Sequence, residues 1–156
     1  MQNDRQNYKK NYRVEEITSE QTMDLRMRVL RPLHPREMCE YDEDSLDTTF
    51  HLGILQNGKV ICNGTFMLQG HGKLPNAHLA YRLRGMATDP ELQKKGLGRL
   101  IILAAEEKLK SIHCDLLWFN ARVSAEGFYE KLGYRALPEV FNIDTIGAHK
   151  VMYKVF

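Results

Sequence analysis

A glycine-containing turn between an apolar strand and an amphipathic helix constrains this chain more than any other feature. Residues 93–98 read QKKGLG, and a helix is predicted from there because apolar residues recur at helical spacing as far as Ile112. Residues 83–88 (LRGMAT) are predicted to form the strand before the turn. The first amides of a helix are unpaired and carry partial positive charge, so this order of elements predicts a pyrophosphate site.

The residues of the turn suit the same anion. Gly96 and Gly98 allow close approach of the backbone. Mobile positive charge comes from three basic side chains, Lys94, Lys95 and Arg99. A Walker loop would need Gly-Lys followed by Ser or Thr, and a dinucleotide fingerprint would need a third glycine where Ile101 stands. A nucleotide-binding module is therefore a weaker interpretation.

The composition limits the class of protein. The chain has 156 residues, 43% of them hydrophobic, and no apolar run long enough for a membrane span or signal peptide, which predicts a soluble, cytoplasmic protein. Residues 11–156 are predicted to form a single domain, and residues 1–10 a flexible tail. A net charge of +2 gives no support to nucleic-acid binding. The three cysteines and six histidines show no metal-binding spacing, so no metal is expected.

The pattern along the chain predicts an α/β (α+β) protein with a mixed sheet and helices on both faces. Thr18 and Gln21 form a candidate capping box that opens a helix to about Leu30. Asn57-Gly58 predicts a hairpin between two strands. Ser124 is expected to cap a short helix that Gly133 ends. The predicted strands are residues 12–17, 49–55, 59–68, 77–88, 116–119, 134–141 (interrupted or bent at Pro138) and 149–156.

Several motifs, in this order, resemble the GCN5-related N-acetyltransferases (GNAT superfamily). Residues 93–98 resemble the family's Q/R-x-x-G-x-G/A loop, which grips the pyrophosphate of coenzyme A, and residues 86–91 (MATDPE) match its fourth strand and exit. Residues 117–120 (LWFN) and 128–134 (FYEKLGY) are similar to its second cofactor motif. The resemblance covers residues 12–156 and implies a mostly antiparallel sheet of about seven strands, splayed between strands 4 and 5.

The resemblance also implies acetyl-CoA as cosubstrate and a set of site residues. In the family, an Asn after the fifth strand contacts the pantetheine arm, and a Tyr on the next helix faces the thioester sulfur. Asn120 and Tyr129 occupy those positions, so Tyr129 is the expected general acid, with Tyr134 a rival. The expected cofactor-binding residues are Met86, Ala87, Thr88, Gln93, Lys94, Lys95, Gly96, Leu97, Gly98, Arg99, Asn120, Phe128 and Tyr129.

Gly85 lies inside an apolar strand, where glycine marks either a bulge or a simple kink. In the resembling family a bulge here frees main-chain groups for the cofactor, which implies a backbone oxyanion contact from the amide of Met86. No general base is assigned. His149, near the start of the last strand, is a candidate for the acceptor side or for the base.

The predicted function is acetyl transfer from acetyl-CoA to a primary amine, directly within a ternary complex. Residues 37–47 carry six acids, which either attract a cationic small-molecule amine or form a solvated loop; the loop is the favoured reading. The alternative function is a catalytically silent acyl-CoA sensor of the same fold, which Tyr129 argues against. No nucleic-acid or membrane partner is expected. The oligomeric state stays open, and a homodimer is compatible with the sequence.

Overall fold

A computed structural model describes residues 12–156, so the predicted tail at residues 1–10 lies outside the described residues. The strands are β1 (Val14–Ile17), β2 (Phe50–Gln56), β3 (Lys59–Leu68), β4 (Ala80–Thr88), β5 (Leu116–Arg122), β6 (Arg135–Ala136), β7 (Phe141–Ile143) and β8 (Gly147–Val155). The α-helices are α1 (Ser19–Leu25), α2 (Leu97–Ser111) and α3 (Glu126–Lys131). A π-helical turn, Arg26–Leu30, follows α1. Single 3-10 turns occupy Arg36–Cys39, Asp42–Ser45, Pro90–Leu92 and Val123–Ala125.

The strands of residues 12–156 form one eight-stranded sheet in the order β1-β2-β3-β4-β5-β8-β6, with β7 paired to β8. The β1–β2 and β5–β8 pairs are antiparallel, whereas β4 and β5 are parallel. The parallel ladder runs only from Ala80 opposite Leu116 to Arg82 opposite Trp118. A mixed, mostly antiparallel sheet with so short a β4–β5 ladder confirms the predicted fold class, with eight strands in place of about seven.

The described chain divides into two compact units, so a single domain over residues 11–156 stays a prediction. The first unit comprises residues 12–65 and 85–106. At the start of α1 the predicted capping box is present: the Thr18 hydroxyl accepts from the Gln21 amide at 3.2 Å, and the Gln21 side chain accepts from the Thr18 amide at 2.8 Å. The predicted hairpin joins β2 to β3, with Asn57 and Gly58 at φ 52° and 76°.

Helix α2 buries one face, as its apolar spacing predicts. Leu97, Ile101 and Ala105 are at most 2% exposed. The predicted face needs two corrections: Ile102, which it did not include, is fully buried, and Ile112, which it did include, lies beyond the end of the helix and is 41% exposed. The buried face of the helix therefore includes Ile102, which the spacing of apolar residues in the sequence does not indicate.

The second unit comprises residues 66–84 and 107–156. Its core is built on Leu74, Leu116, Trp118 and Val151. The strand predicted over residues 134–141 is interrupted as expected: it contributes to β6 and β7, with Pro138 between them. Another prediction is wrong here. Ser124 does not cap α3, because a 3-10 turn over Val123–Ala125 precedes it and the N-cap residue, Ala125, makes no side-chain cap bond.

Candidate active site

The turn before α2 presents its main chain as the glycine pattern predicts. Lys94 and Gly96 have positive φ values of 64° and 81°. The amide of Leu100 donates to the carbonyl of Gly96 at 3.2 Å. The three amides before it, at residues 97–99, have no carbonyl one turn earlier within the helix. These N–H groups at the positive end of the helix dipole are suited to a phosphate.

The space around the turn fits such a ligand. A Cβ placed on Gly96 would meet nothing within 4 Å, and one on Gly98 would meet only the Met86 sulfur, at 4.0 Å. The basic side chains of the turn are exposed: Lys94, Lys95 and Arg99. Because both glycines are open rather than packed, the backbone can be approached closely by a bulky anion. The turn and the helix start, residues 93–99, therefore fit a diphosphate group such as that of coenzyme A.

The side chain of Gln93 has a local partner in this structure. Its Nε2 donates to the carbonyl of Thr88 at 3.3 Å, which ties the turn to the end of β4. The Asp89 carboxylate accepts from the amide of Glu91 at 3.1 Å and caps the intervening 3-10 turn. Gln93 thus shapes the turn, and its expected contact with the cofactor stays a prediction.

Strand β4 is irregular at Gly85, whose φ is 67°. The carbonyl of Gly85 accepts from the side-chain Nδ2 of Asn63, on β3, at 3.0 Å. A Cβ on Gly85 would lie 3.1 Å from Arg26 Nε and 3.2 Å from the Tyr41 hydroxyl, so the backbone here is closely surrounded by polar side chains. The left-handed backbone that glycine permits is therefore built into β4 just before Met86.

A buried arginine organises the polar groups next to Gly85. Arg26 is 1% exposed, and its two terminal nitrogens bind both carboxylate oxygens of Asp44 at 2.7 and 2.8 Å. The same nitrogens donate to the carbonyl of Cys39 at 3.0 Å and to the Thr65 hydroxyl at 2.7 Å. The guanidinium carbon lies 3.9 Å from the centre of the Tyr41 ring. These hydrogen bonds from the guanidinium group fix residues 39–44, which include part of the predicted acidic stretch.

Two titratable groups in this network are shifted. Burial favours a raised pKa for the Asp44 carboxyl, but hydrogen bonds from Arg26 and from the Tyr41 amide outweigh it and hold the pKa below its usual value. Burial lowers the pKa of His51. His51 Nε2 lies 3.2 Å from the carbonyl of Asp44 and Nδ1 lies 2.8 Å from the Thr65 hydroxyl. Because a carbonyl only accepts, Nε2 carries the proton of the neutral ring and Nδ1 accepts from Thr65.

In the second unit, Tyr129 lies in a cluster of rings on α3 and β5. Its ring centre is 4.5 Å from that of Phe119 and 5.0 Å from that of Phe128. Tyr129 is half-buried, whereas its rival Tyr134 is only 2% exposed and packs 5.1 Å from Phe119. Tyr134 is thus a core residue, whereas Tyr129 is partly accessible to solvent.

His149 is 5% exposed and stacks on Phe141 with ring centres 6.0 Å apart. Its Nδ1 donates to the carbonyl of Gly147 at 2.7 Å. That bond leaves Nε2 of the neutral ring with the lone pair, which is the form that a base requires. Its role on the acceptor side or as a base stays a prediction.

A cavity of about 390 Å³ opens in the second unit. Its apolar wall includes Trp118, Leu137, Phe141 and Val151, and Asn120 also lines it. At its polar side, Lys73 and Glu139 form an exposed ion pair at 2.8 Å; His71 and Arg82 complete the lining. The cavity is therefore mainly an aromatic and aliphatic chamber that reaches the predicted cofactor residue Asn120.

The expected site residues thus fall into two groups. The first unit holds Met86, Ala87, Thr88, Gln93, Lys94, Lys95, Gly96, Leu97, Gly98 and Arg99. The second unit holds Asn120, Phe128, Tyr129 and His149. Sequence reasoning missed Asn63 and Arg26, both fully or almost fully buried. The signal for Asn63 was available, because an Asn within an otherwise apolar, buried strand needs a polar partner.

The comparisons with known proteins identify the family. The family model described as the acetyltransferase (GNAT) family matches residues 14–134. The chain is 42% identical over 141 residues to the uncharacterized N-acetyltransferase YitI of Bacillus subtilis (strain 168), covering 90% of this chain and 94% of YitI. This protein therefore belongs to the GNAT acetyltransferase family.

Solved structures share the fold. Escherichia coli ElaA has a TM-score of 0.72 at 14% identity, covering 92% of this chain and 99% of ElaA. An aminoglycoside 6'-N-acetyltransferase complexed with coenzyme A has a TM-score of 0.72 at 13% identity, covering 92% of this chain and 96% of that one. At these identities the likeness establishes the fold alone.

Proposed function

We propose that this protein transfers an acetyl group from acetyl-CoA to a primary amine, directly within a ternary complex. The observation that carries the proposal is the open main chain of residues 94–99, where positive φ values and a helix start converge. Membership of the GNAT acetyltransferase family supports the same reaction. The coenzyme A in the aminoglycoside acetyltransferase structure supports an acyl-CoA donor.

Different groups of the chain bind different parts of acetyl-CoA. The amides at residues 97–99 and the exposed basic side chains hold the diphosphate. The side-chain amide of Asn120 binds the pantetheine arm, and Phe128 contributes to the same region. Acetyl-CoA, when bound, supplies an activated acetyl thioester. The amide of Met86 donates to the thioester oxygen as negative charge develops there.

The reaction needs one bond formed and one broken. The amine nitrogen bonds to the acetyl carbon, the carbon–sulfur bond breaks, and the amine gives up a proton. Tyr129 donates its hydroxyl proton to the departing thiolate and recovers one from solvent. His149 Nε2 is our proposal for the group that accepts the proton of the amine.

Direct transfer is favoured over an acyl-cysteine route by the state of the three thiols. Cys39, Cys62 and Cys114 are all buried. Burial raises the pKa of Cys62 to about 11 and also raises that of Cys114, so neither supplies a thiolate at neutral pH. Holding the amine beside the thioester is then the main requirement.

The acceptor is proposed to place an apolar or aromatic body in the cavity beside Asn120, because Trp118, Leu137, Phe141 and Val151 form an apolar wall there. The acidic stretch offers less attraction for a cationic acceptor than its sequence indicates. Two of its six acids are ion-paired, Glu40 with Arg36 at 3.1 Å and Asp44 with Arg26. A preference for cationic amines would therefore be small and would fade with salt.

The rate of coenzyme A release from acetyl-CoA, with and without a panel of primary amines, tests the proposal. The panel pairs 2-phenylethylamine and hexylamine with spermidine and lysine. We expect release that depends on the amine and is fastest with the apolar members. Tight acetyl-CoA binding without release for any amine would favour the acyl-CoA sensor instead.

A further inference from the structure

We propose that Asn63 is a positioning residue for acetyl transfer, which fixes the peptide between Gly85 and Met86 so that the Met86 amide faces the reacting carbonyl. The inference rests on the proposed function, because it gives the oxyanion contact its orientation. Asn63 itself does not touch the substrate.

Asn63 is an unusual residue for its position. It lies within β3, is fully buried, and has buried neighbours on both sides from Ile61 to Met67. Its Nδ2 donates to the Gly85 carbonyl at 3.0 Å, while its Oδ1 has no hydrogen-bond partner among the described residues. A buried amide oxygen without a partner is destabilising, so the stability of the fold alone does not explain an Asn at this position.

The orientation of the Asn63 side chain follows from chemistry. A backbone carbonyl can only accept, so the NH₂ end must face Gly85; the reverse orientation would set two oxygens against each other. The hydrogen bond therefore fixes the direction of the Gly85 carbonyl.

Fixing that carbonyl also fixes the next amide. The described residues contain no cis peptide, so the carbonyl of Gly85 and the N–H of Met86 point in opposite directions from one plane. With Gly85 at φ 67°, this plane departs from regular strand geometry, and a side chain on β3 holds its carbonyl. The Met86 N–H is consequently directed away from Asn63. Accepting a hydrogen bond at the carbonyl also polarises the peptide and makes its N–H a better donor.

Arg26 lies close to the same residue. A Cβ on Gly85 would stand 3.1 Å from Arg26 Nε, so a side chain at this position would be crowded. Glycine therefore allows the left-handed conformation of residue 85, and Asn63 supplies the contact that sets the direction of the peptide. A donor held in place before the reaction avoids reorganisation as charge develops.

The test replaces Asn63 by Leu, which has a similar size and no donor, and by Asp, whose carboxylate would repel the Gly85 carbonyl. For Asn63→Leu we expect kcat to fall by about 10- to 100-fold, less than complete loss of an oxyanion donor, while the Kd for acetyl-CoA changes by at most about threefold. The matched control is Thr22→Val, which removes a hydrogen bond of a buried side chain of α1, from the Thr22 hydroxyl to the Ser19 carbonyl at 2.6 Å. We expect Thr22→Val to lower the Tm without the selective fall in kcat.

A second readout does not require turnover. Titration of wild-type protein with acetyl-CoA alone should move the Met86 amide proton downfield in NMR spectra, and either Asn63 variant should reduce that shift. If wild type shows no amine-dependent release, the proposed function fails, and this shift alone decides the role of Asn63. If the kcat of Asn63→Leu equals that of wild type, the inference about Asn63 is overturned and the proposed function is unaffected. If neither variant folds, absence of a Met86 shift in wild type overturns it, and its presence supports it.

Discussion

The two units of the chain carry their proposed functional atoms in different ways. In the first unit these atoms belong to the main chain, at Met86 and residues 97–99, and buried polar side chains such as Asn63 and Arg26 surround β4. In the second unit they belong to side chains, Asn120 and Tyr129, and aromatic packing surrounds them.

This difference predicts opposite sensitivities. A main-chain site tolerates changes of exposed side chains but fails when its backbone conformation or access is changed. A side-chain site tolerates modest backbone adjustment but loses its chemistry when a single hydroxyl is removed. Four experiments test this difference between the two units.

The first experiment changes the backbone of the turn. Gly96→Val places a β-branched residue at a φ of 81°, where it is strained, and fills the space that the diphosphate needs. We expect calorimetry to show acetyl-CoA affinity reduced by about 100-fold or more, equivalent to losing at least one or two hydrogen bonds to a charged group.

Gly58→Val is the matched control, since Gly58 has a similar φ of 76° and its Cβ would also meet nothing within 4 Å. Gly58→Val should lower the Tm about as much as Gly96→Val does and should keep a folded circular-dichroism spectrum. Its affinity for acetyl-CoA should be normal. Equal loss of affinity in both variants would mean that backbone strain, rather than loss of the diphosphate site at the turn, explains the effect.

The second experiment tests the polar support of the first unit. Asp44→Asn breaks a buried ion pair with Arg26, so we expect the free energy of unfolding to fall by about 3–5 kcal/mol. Since the folded-state pKa of Asp44 lies below its unfolded value, its contribution is present above the unfolded pKa and disappears as pH falls through the folded pKa.

Urea unfolding of wild type and Asp44→Asn from neutral to acidic pH measures this contribution. The two stability curves should converge as the pH falls. The exposed Asp42→Asn should stay close to wild type throughout. A constant difference between wild type and Asp44→Asn across the range would contradict the assigned ion pair.

The third experiment removes the proposed general acid of the second unit. Tyr129→Phe keeps the ring that packs on Phe119, so folding and acetyl-CoA binding should be nearly normal. A thiol is already a fair leaving group, so we expect kcat to fall by about 10²-fold or less. Tyr134→Phe, at a buried ring, is the control. Wild-type turnover of Tyr129→Phe at every pH would make Tyr129 a packing residue.

The difference between main-chain and side-chain sites also explains what the sequence could predict. The hairpin at Asn57-Gly58 and the helix start at Leu97 depend on neighbouring residues, so local patterns were sufficient to predict them. Gly85 predicted an irregularity in its strand for the same reason, because a glycine inside an apolar strand is a local signal.

Contacts between distant residues were beyond single-sequence reasoning. Arg26 and Asp44 are 18 residues apart, and Asn63 and Gly85 are 22 apart. Neither residue type nor spacing identifies such partners, because only the folded sheet brings them together. Within residues 134–141 the sequence predicted an interruption or bend at Pro138, but not that β6 and β7 would each pair with β8. Family membership is shown, whereas the roles of the individual site residues stay predictions.

The central claim is that the main chain of the turn, rather than its basic side chains, holds acetyl-CoA. Calorimetric titration of the Lys94→Ala variant with acetyl-CoA tests it most directly, because Lys94 is exposed and the variant keeps Gly96 and the helix start. We predict a weakening of only a few-fold, about 1 kcal/mol or less, as for one solvent-exposed charge. Loss of binding as complete as that of Gly96→Val would contradict the claim.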